Sequence, residues 1–217
     1  MVVEGRRDAP ALSPEKDHSH DVYTVANIVT VLRLILVPIF FTVMVSGNND
    51  VLAFALFAIA ASTDWLDGQI ARRTGTVTAI GKAIDPLVDR LLIGAGVLGL
   101  YLEHRLPLWV VAVLFLRDVY LGYGAWRLEQ QHHHRLPVTF AGKLTTALLL
   151  TGFSLLILNW PTTPGLGIVD SPTLPGFGPQ DVPAGIWFVY VGLVLSVTTA
   201  FSYTAQYAHY VRKARQR

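Results

Sequence analysis

Two pairs of carboxylates sit at spacings that suit divalent metal ions. Asp64 and Asp67 are three residues apart, and Asp85 and Asp89 are four apart. On a helix these offsets put each pair on one face, about 60° and about 40° apart around the axis. Apolar sequence precedes the first pair and follows the second. The carboxylates therefore fall at the edge of membrane-like segments, where ionised side chains are expensive and usually mark function. Between the pairs, Thr74-Gly75-Thr76-Val77-Thr78 reads as a turn that folds one helix back on the other. Asp67 lies as far before Thr74 as Asp85 lies after Thr78, so the pairs meet at matched depth, about 10 Å from the turn at roughly 1.5 Å per residue. Converging carboxylates repel one another. Mg²⁺ or Mn²⁺, which take oxygen ligands, would neutralise them. Two such ions shared by Asp64, Asp67, Asp85 and Asp89 suit transfer at phosphorus, where they clamp a pyrophosphate and stabilise the leaving oxygen. Any one of these aspartates, taken alone, could be a helix cap or a surface charge. That reading does not explain all four at these spacings.

The elements that must hold them are membrane helices. Of the 217 residues, 52% are hydrophobic and only 15% charged, and the apolar residues come in long blocks. The expected fold class is an all-α integral membrane protein with six transmembrane helices and a cytoplasmic-facing active site between helices 2 and 3. Cysteine is absent, which excludes disulfides, thiolate metal sites and cysteine nucleophiles. The net charge of +2 is small, and no nucleic-acid partner is expected. Residues 1–22 are polar and of mixed charge and read as a flexible tail, without the apolar core and cleavage site of a signal peptide. The membrane domain is expected over 23–211, with a basic tail at 212–217.

The six apolar segments run from about 25–45, 51–73, 82–101, 108–126, 138–160 and 184–207. In the first, Asn27, Thr30 and Arg33 recur every three residues and form one polar stripe. Arg33 could simply snorkel to the headgroups, and Pro38 is expected to kink this helix. In the third, Gly94, Gly96 and Gly99 would allow close helix contacts. The fourth carries Arg117-Asp118 near its middle, read either as a buried ion pair orienting the aspartate cluster or as a phosphate contact. The loop 127–137 includes His132, His133 and His134, which read as solvated rather than metal-binding. The fifth has Lys143 near its start, either snorkelling or binding an acceptor's phosphate. The connection 161–183 is rich in proline and lacks Lys and Arg. The basic residues favour one side: the turn at 72–82, the loop at 127–137 and the C-terminal tail hold most of them, while Arg105 alone marks the other side. Both termini are then cytoplasmic.

The string D-x2-D-G-x2-A-R-x8-G-x3-D-x3-D is filled here by Asp64, Asp67, Gly68, Ala71, Arg72, Gly81, Asp85 and Asp89, with no gap or substitution. It resembles the signature of the CDP-alcohol phosphatidyltransferases, and the resemblance extends from about Thr24 through the fifth segment. It implies CDP-diacylglycerol as donor, an alcohol or lipid as acceptor, and residence in a bacterial-type cell membrane. It also implies a homodimer. The acceptor hydroxyl attacks the phosphorus that carries the diacylglycerol, and CMP leaves. By the same resemblance Asp64, Asp67 and Asp85 are metal ligands, and Asp89 is both metal ligand and general base. Asn27, Thr30, Gly68, Arg72 and Thr78 bind CDP-diacylglycerol, while Arg117 and Lys143 are candidates for an acceptor phosphate.

The context Thr63-Asp64-Trp65-Leu66-Asp67-Gly68 and the stripe from Asn27 to Arg33 look most like bacterial phosphatidylglycerophosphate synthases, whose acceptor is glycerol 3-phosphate. The chain departs from them at Arg90, where they commonly carry lysine, and at Thr145, where they commonly have a second lysine two residues after the first. A cardiolipin synthase using phosphatidylglycerol is the nearest alternative, with an inositol-phosphate acceptor behind it. From other classes, a divalent-cation transporter would spread its carboxylates through the bilayer, and a non-catalytic scaffold would not need Arg72, Gly81 and four carboxylates together.

Overall fold

The computed structural model describes the backbone of residues 25–74, 79–132 and 140–215, and the side chains of 29–63, 87–124, 127 and 140–202. Six helices follow one another: α1 (Val25–Ser46), α2 (Asp50–Thr74), α3 (Ala79–Leu102), α4 (Leu108–His132), α5 (Phe140–Leu158) and α6 (Gly185–Arg215). Two short strands, β1 (Thr162–Thr163) and β2 (Val182–Pro183), pair antiparallel between α5 and α6. Among the described residues three helical stretches are long and apolar enough to cross a membrane: Val29–Ser46, Phe140–Leu158 and Gly185–Ser202. The apolar part of α2, Asp50–Thr63, is shorter. The fold is therefore a mostly helical membrane protein. Apolar side chains such as Val31, Ile35, Phe115, Val194 and Phe201 point outward, as lipid-facing surfaces require.

Two helix ends have a clear local cause. Asn49 caps α2, its side-chain oxygen accepting from the Leu52 amide at 2.9 Å. The α5 helix stops at Asn159, which takes a left-handed φ of 56°. Two helices outrun their apolar segments. The α4 helix continues to His132 because Leu128, Glu129, Gln130 and Gln131 are good helix formers. The first part of the expected 127–137 loop is thus helical, and His133 and His134 lie outside the described residues. Likewise α6 extends to Arg215, so the expected basic tail is largely helix.

Among the described residues the core is built mainly from α1, α2, α3, α5 and α6. Phe40 and Met44 of α1 meet Phe57 of α2 and Leu100 of α3, and the Phe40 and Phe57 rings sit 5.4 Å apart. Glycine sets two close approaches. A Cβ on Gly99 would lie 2.8 Å from Met44 Cγ. A Cβ on Gly152 of α5 would lie 2.8 Å from Val189 Cγ2 and 3.0 Å from the Gly185 carbonyl oxygen, so α5 and α6 cross backbone to backbone. Gly94 differs from the expectation that it allows a close contact: a Cβ there would meet nothing within 4 Å, and the residue is exposed.

At the end of the bundle where α1 finishes, Arg105 ties three elements together. Its Nη2 donates to Asp50 Oδ1 at 2.7 Å and lies 3.8 Å from Glu103 Oε2. Its Nη1 donates to the Leu156 and Ile157 carbonyls at 3.2 and 3.1 Å, satisfying the last turn of α5. The proline-rich connection, expected as a plain loop, is a small cap over this end. The Trp187 indole donates to Thr163 Oγ1 at 3.1 Å, the Tyr190 hydroxyl to the Pro175 carbonyl at 3.0 Å, and the Trp109 indole to the Thr173 carbonyl at 2.6 Å.

Candidate functional site

The opposite end of the bundle gathers the start of α1, the end of α2 and the start of α3. These three helices neighbour one another. Asp64 and Asp67 stand on α2 and Asp85 and Asp89 on α3, on both sides of the 75–78 connection. The two aspartate pairs thus fall on consecutive helices, as the sequence spacing predicts, while the faces they form lie outside the described side chains. Gly68 and Arg72 are on the same last turns of α2, and Asn27 is in the first turn of α1. The side chains of Asn27, Asp64, Asp67, Arg72 and Asp85 lie outside the described ones, as do Gly68's surroundings and the whole of Thr78.

One signature side chain, Asp89, is described, and it is held by α1. Arg33 Nη1 donates to Asp89 Oδ1 at 2.8 Å, a charge-assisted hydrogen bond across the α1–α3 contact. The two partners are unequally placed: the Arg33 side chain is 0% exposed and that of Asp89 39% exposed. The cation is sealed inside the bundle while the carboxylate keeps an open side. Thr30, one turn before Arg33, is buried as well. This corrects one reading of the polar stripe: Arg33 does not snorkel, because its guanidinium has a carboxylate partner inside the bundle. The spacing at three showed the stripe, but one helix's sequence does not say what the stripe faces.

Among the described residues, Arg117 and Lys143 are not joined to Asp89. Arg117 Nη1 bonds its chain neighbour Asp118 at 2.7 Å, and the Asp118 side chain is 52% exposed. The pair is thus half open and, among the described residues, is not a buried link to the aspartates. Lys143 is exposed in the first turn of α5. Two residues on, Thr145 is fully buried and its hydroxyl donates to the Ala141 carbonyl at 2.9 Å. Position 145 therefore points into the helix packing, where a lysine would lose its hydration.

Among the described residues no group of three or more His, Cys, Asp or Glu gathers; three of the four aspartates fall outside that set. The donor chemistry still fits a hard divalent cation. It is all carboxylate, it is carried on two adjacent helices, and at Asp89 it keeps an open side. Nitrogen and sulfur ligands, which would favour zinc or copper, are not part of the set.

Comparison with known proteins shows the family. Residues 23–198 match the CDP-alcohol phosphatidyltransferase family. The chain is 35% identical over 142 residues to a probable phosphatidylglycerophosphate synthase of Mycobacterium tuberculosis, covering 63% of this chain and 67% of that protein. It is 33% identical over 143 residues to a CMP-forming cardiolipin synthase of Streptomyces coelicolor, covering 64% and 66% respectively. It is 36% identical over 111 residues to the CDP-diacylglycerol–glycerol-3-phosphate 3-phosphatidyltransferase of Bacillus subtilis, covering 45% and 58%.

Proposed function

Because the chain belongs to the CDP-alcohol phosphatidyltransferase family, we propose that it transfers a phosphatidyl group from CDP-diacylglycerol to glycerol 3-phosphate, releasing CMP and phosphatidylglycerophosphate. The observation that carries this reading is the uninterrupted eight-position signature from Asp64 to Asp89, spread over the adjoining helices α2 and α3. The relative from Mycobacterium tuberculosis named as a phosphatidylglycerophosphate synthase and that from Bacillus subtilis named for the glycerol 3-phosphate reaction support the acceptor.

In this reading an acceptor hydroxyl forms a new bond to the phosphorus bearing the diacylglycerol. The bridging P–O bond breaks, and CMP leaves with its electron pair. The hydroxyl proton passes to Asp89, whose open side suits a general base and whose other side is held by Arg33. Two Mg²⁺ or Mn²⁺ ions, held by Asp64, Asp67, Asp85 and Asp89, would supply positive charge to the pyrophosphate. Asn27, Thr30, Gly68, Arg72 and Thr78 bind the donor. Gly68 leaves room for the nucleotide beside the backbone, and Arg72 grips a phosphate. Arg117 and Lys143 are the candidate contacts to the acceptor phosphate.

The same reading has six spans and both termini in the cytoplasm, with the site opening where nucleotide-activated lipid is available. The distribution of basic residues supports it. The one basic residue of the 103–107 turn, Arg105, is neutralised internally by Asp50 and Glu103 and does not oppose that orientation. A homodimer is its expected assembly, checked by light scattering in detergent.

A second reading, cardiolipin synthesis with phosphatidylglycerol as acceptor, is favoured by Thr145. A second lysine there would be buried, so one cation for a phosphomonoester is missing. The named function of the Streptomyces coelicolor relative also supports it. Purified protein given CDP-diacylglycerol, Mg²⁺ and either acceptor separates the two. CMP release with glycerol 3-phosphate supports the first reading, and release with phosphatidylglycerol alone replaces it with the second.

A further inference from the structure

We infer that Arg33 is a positioning residue for phosphatidyl transfer, acting by fixing the Asp89 carboxylate from the rear of the site; this rests on the reading of Asp89 as the proton acceptor. The two ends of the 2.8 Å bond have opposite environments. The Arg33 side chain is 0% exposed, so its guanidinium faces protein and not a ligand arriving from water or lipid. The Asp89 side chain, 39% exposed, is the member that faces outward. A buried cation bonded to one oxygen of a half-open carboxylate restricts both of the aspartate's side-chain torsions. It also presents the carboxylate in one orientation to whatever enters. Loss of that bond would loosen the carboxylate, and misplacement by about 1 Å can cost on the order of 100-fold in rate. The planar guanidinium does this better than an ammonium, whose point charge fixes distance but not direction. The bond also explains why α1, which carries none of the signature aspartates, is built into the site end: it brings the clamp to α3.

The experiment combines two readouts on Arg33→Gln, Arg33→Lys, Asp89→Asn and the double variant Arg33→Gln/Asp89→Asn. The first readout is thermal unfolding in detergent without substrate. If the pair is formed, the double variant loses less than the sum of the single losses. The second is steady-state CMP release. For Arg33→Gln, kcat is expected to fall by roughly 10- to 100-fold while KM for CDP-diacylglycerol stays within about twofold, as for loss of an interaction made only in the transition state. Arg33→Lys is expected to recover part of kcat, with the same KM. If Arg33→Gln does not fold, the kcat and KM of Arg33→Lys decide. A raised KM with unchanged kcat would make Arg33 a nucleotide contact and overturn the inference, as would additive stability losses or unchanged activity. Wild-type protein that releases no CMP with any acceptor would refute the functional reading instead, and the stability cycle would still report on the pair.

Discussion

Replacing Gly152 by alanine tests the α5–α6 crossing on which the far half of the bundle depends. The added Cβ would lie 2.8 Å from Val189 Cγ2 and 3.0 Å from both the Gly185 carbonyl oxygen and the Val189 amide nitrogen. Two of these neighbours are backbone, and the third belongs to a β-branched side chain with little freedom in a helix. Gly185 meets the Gly152 carbonyl from the other side, so no flexible side chain can move aside and the helices must part. Overpacking of this kind costs about 1–3 kcal/mol, against about 1 kcal/mol gained from alanine's helix preference. The net expectation is a loss of up to about 2 kcal/mol, with a lower midpoint in detergent. Two glycines of α3 provide the scale. Gly94→Ala meets nothing within 4 Å and should be neutral or stabilising by up to about 1 kcal/mol. Gly99→Ala presses at 2.8 Å on Met44 Cγ, an unbranched side chain that can shift, and should fall between. Thermal unfolding of the three variants in one detergent, followed by size-exclusion fluorescence, gives the order. Gly152→Ala as stable as Gly94→Ala would refute the backbone-to-backbone crossing.

Two further predictions concern the ends of the bundle. Arg105→Met removes the bonds to Asp50, Leu156 and Ile157 together. The guanidinium side chain is 15% exposed and Asp50 29%, so the loss is discounted from the fully buried case to about 2 kcal/mol. It should appear in the unfolding midpoint with KM for CDP-diacylglycerol unchanged, and a KM effect would mean that the two ends are coupled. Asp67→Asn, at the site end, should reduce CMP release by at least about 100-fold because it removes charge from the proposed metal cradle. Folding should be retained, and partial recovery at raised Mn²⁺ would locate the defect in metal binding.

What was legible in the sequence was what depends on one segment at a time. The apolar blocks mark the helices, and the spacing of Asp64, Asp67, Asp85 and Asp89 predicts which helices carry them and on which turns. What was not legible depends on partners distant in the chain. Arg33 reads as a stripe member whether it faces lipid headgroups or a carboxylate, and its partner lies on α3. Arg105 counts as a stray charge until Asp50 and the α5 carbonyls are seen around it. Gly94, Gly96 and Gly99 look alike in a row, yet helix rotation turns Gly99 onto Met44 and Gly94 outward. The proline-rich 161–183 connection carries turn residues and little apolar periodicity, so its cap is invisible without Trp109 of α4 and Trp187 and Tyr190 of α6, whose hydrogen bonds hold it.

The central claim is phosphatidyl transfer from a CDP-activated lipid. Its most direct test is CMP release by the purified full chain from CDP-diacylglycerol and Mg²⁺, with glycerol 3-phosphate added or withheld, beside Asp89→Asn. The account predicts CMP release that requires the acceptor and the metal and that Asp89→Asn nearly abolishes. Folded wild-type protein that releases no CMP with glycerol 3-phosphate, phosphatidylglycerol or inositol 1-phosphate would contradict it.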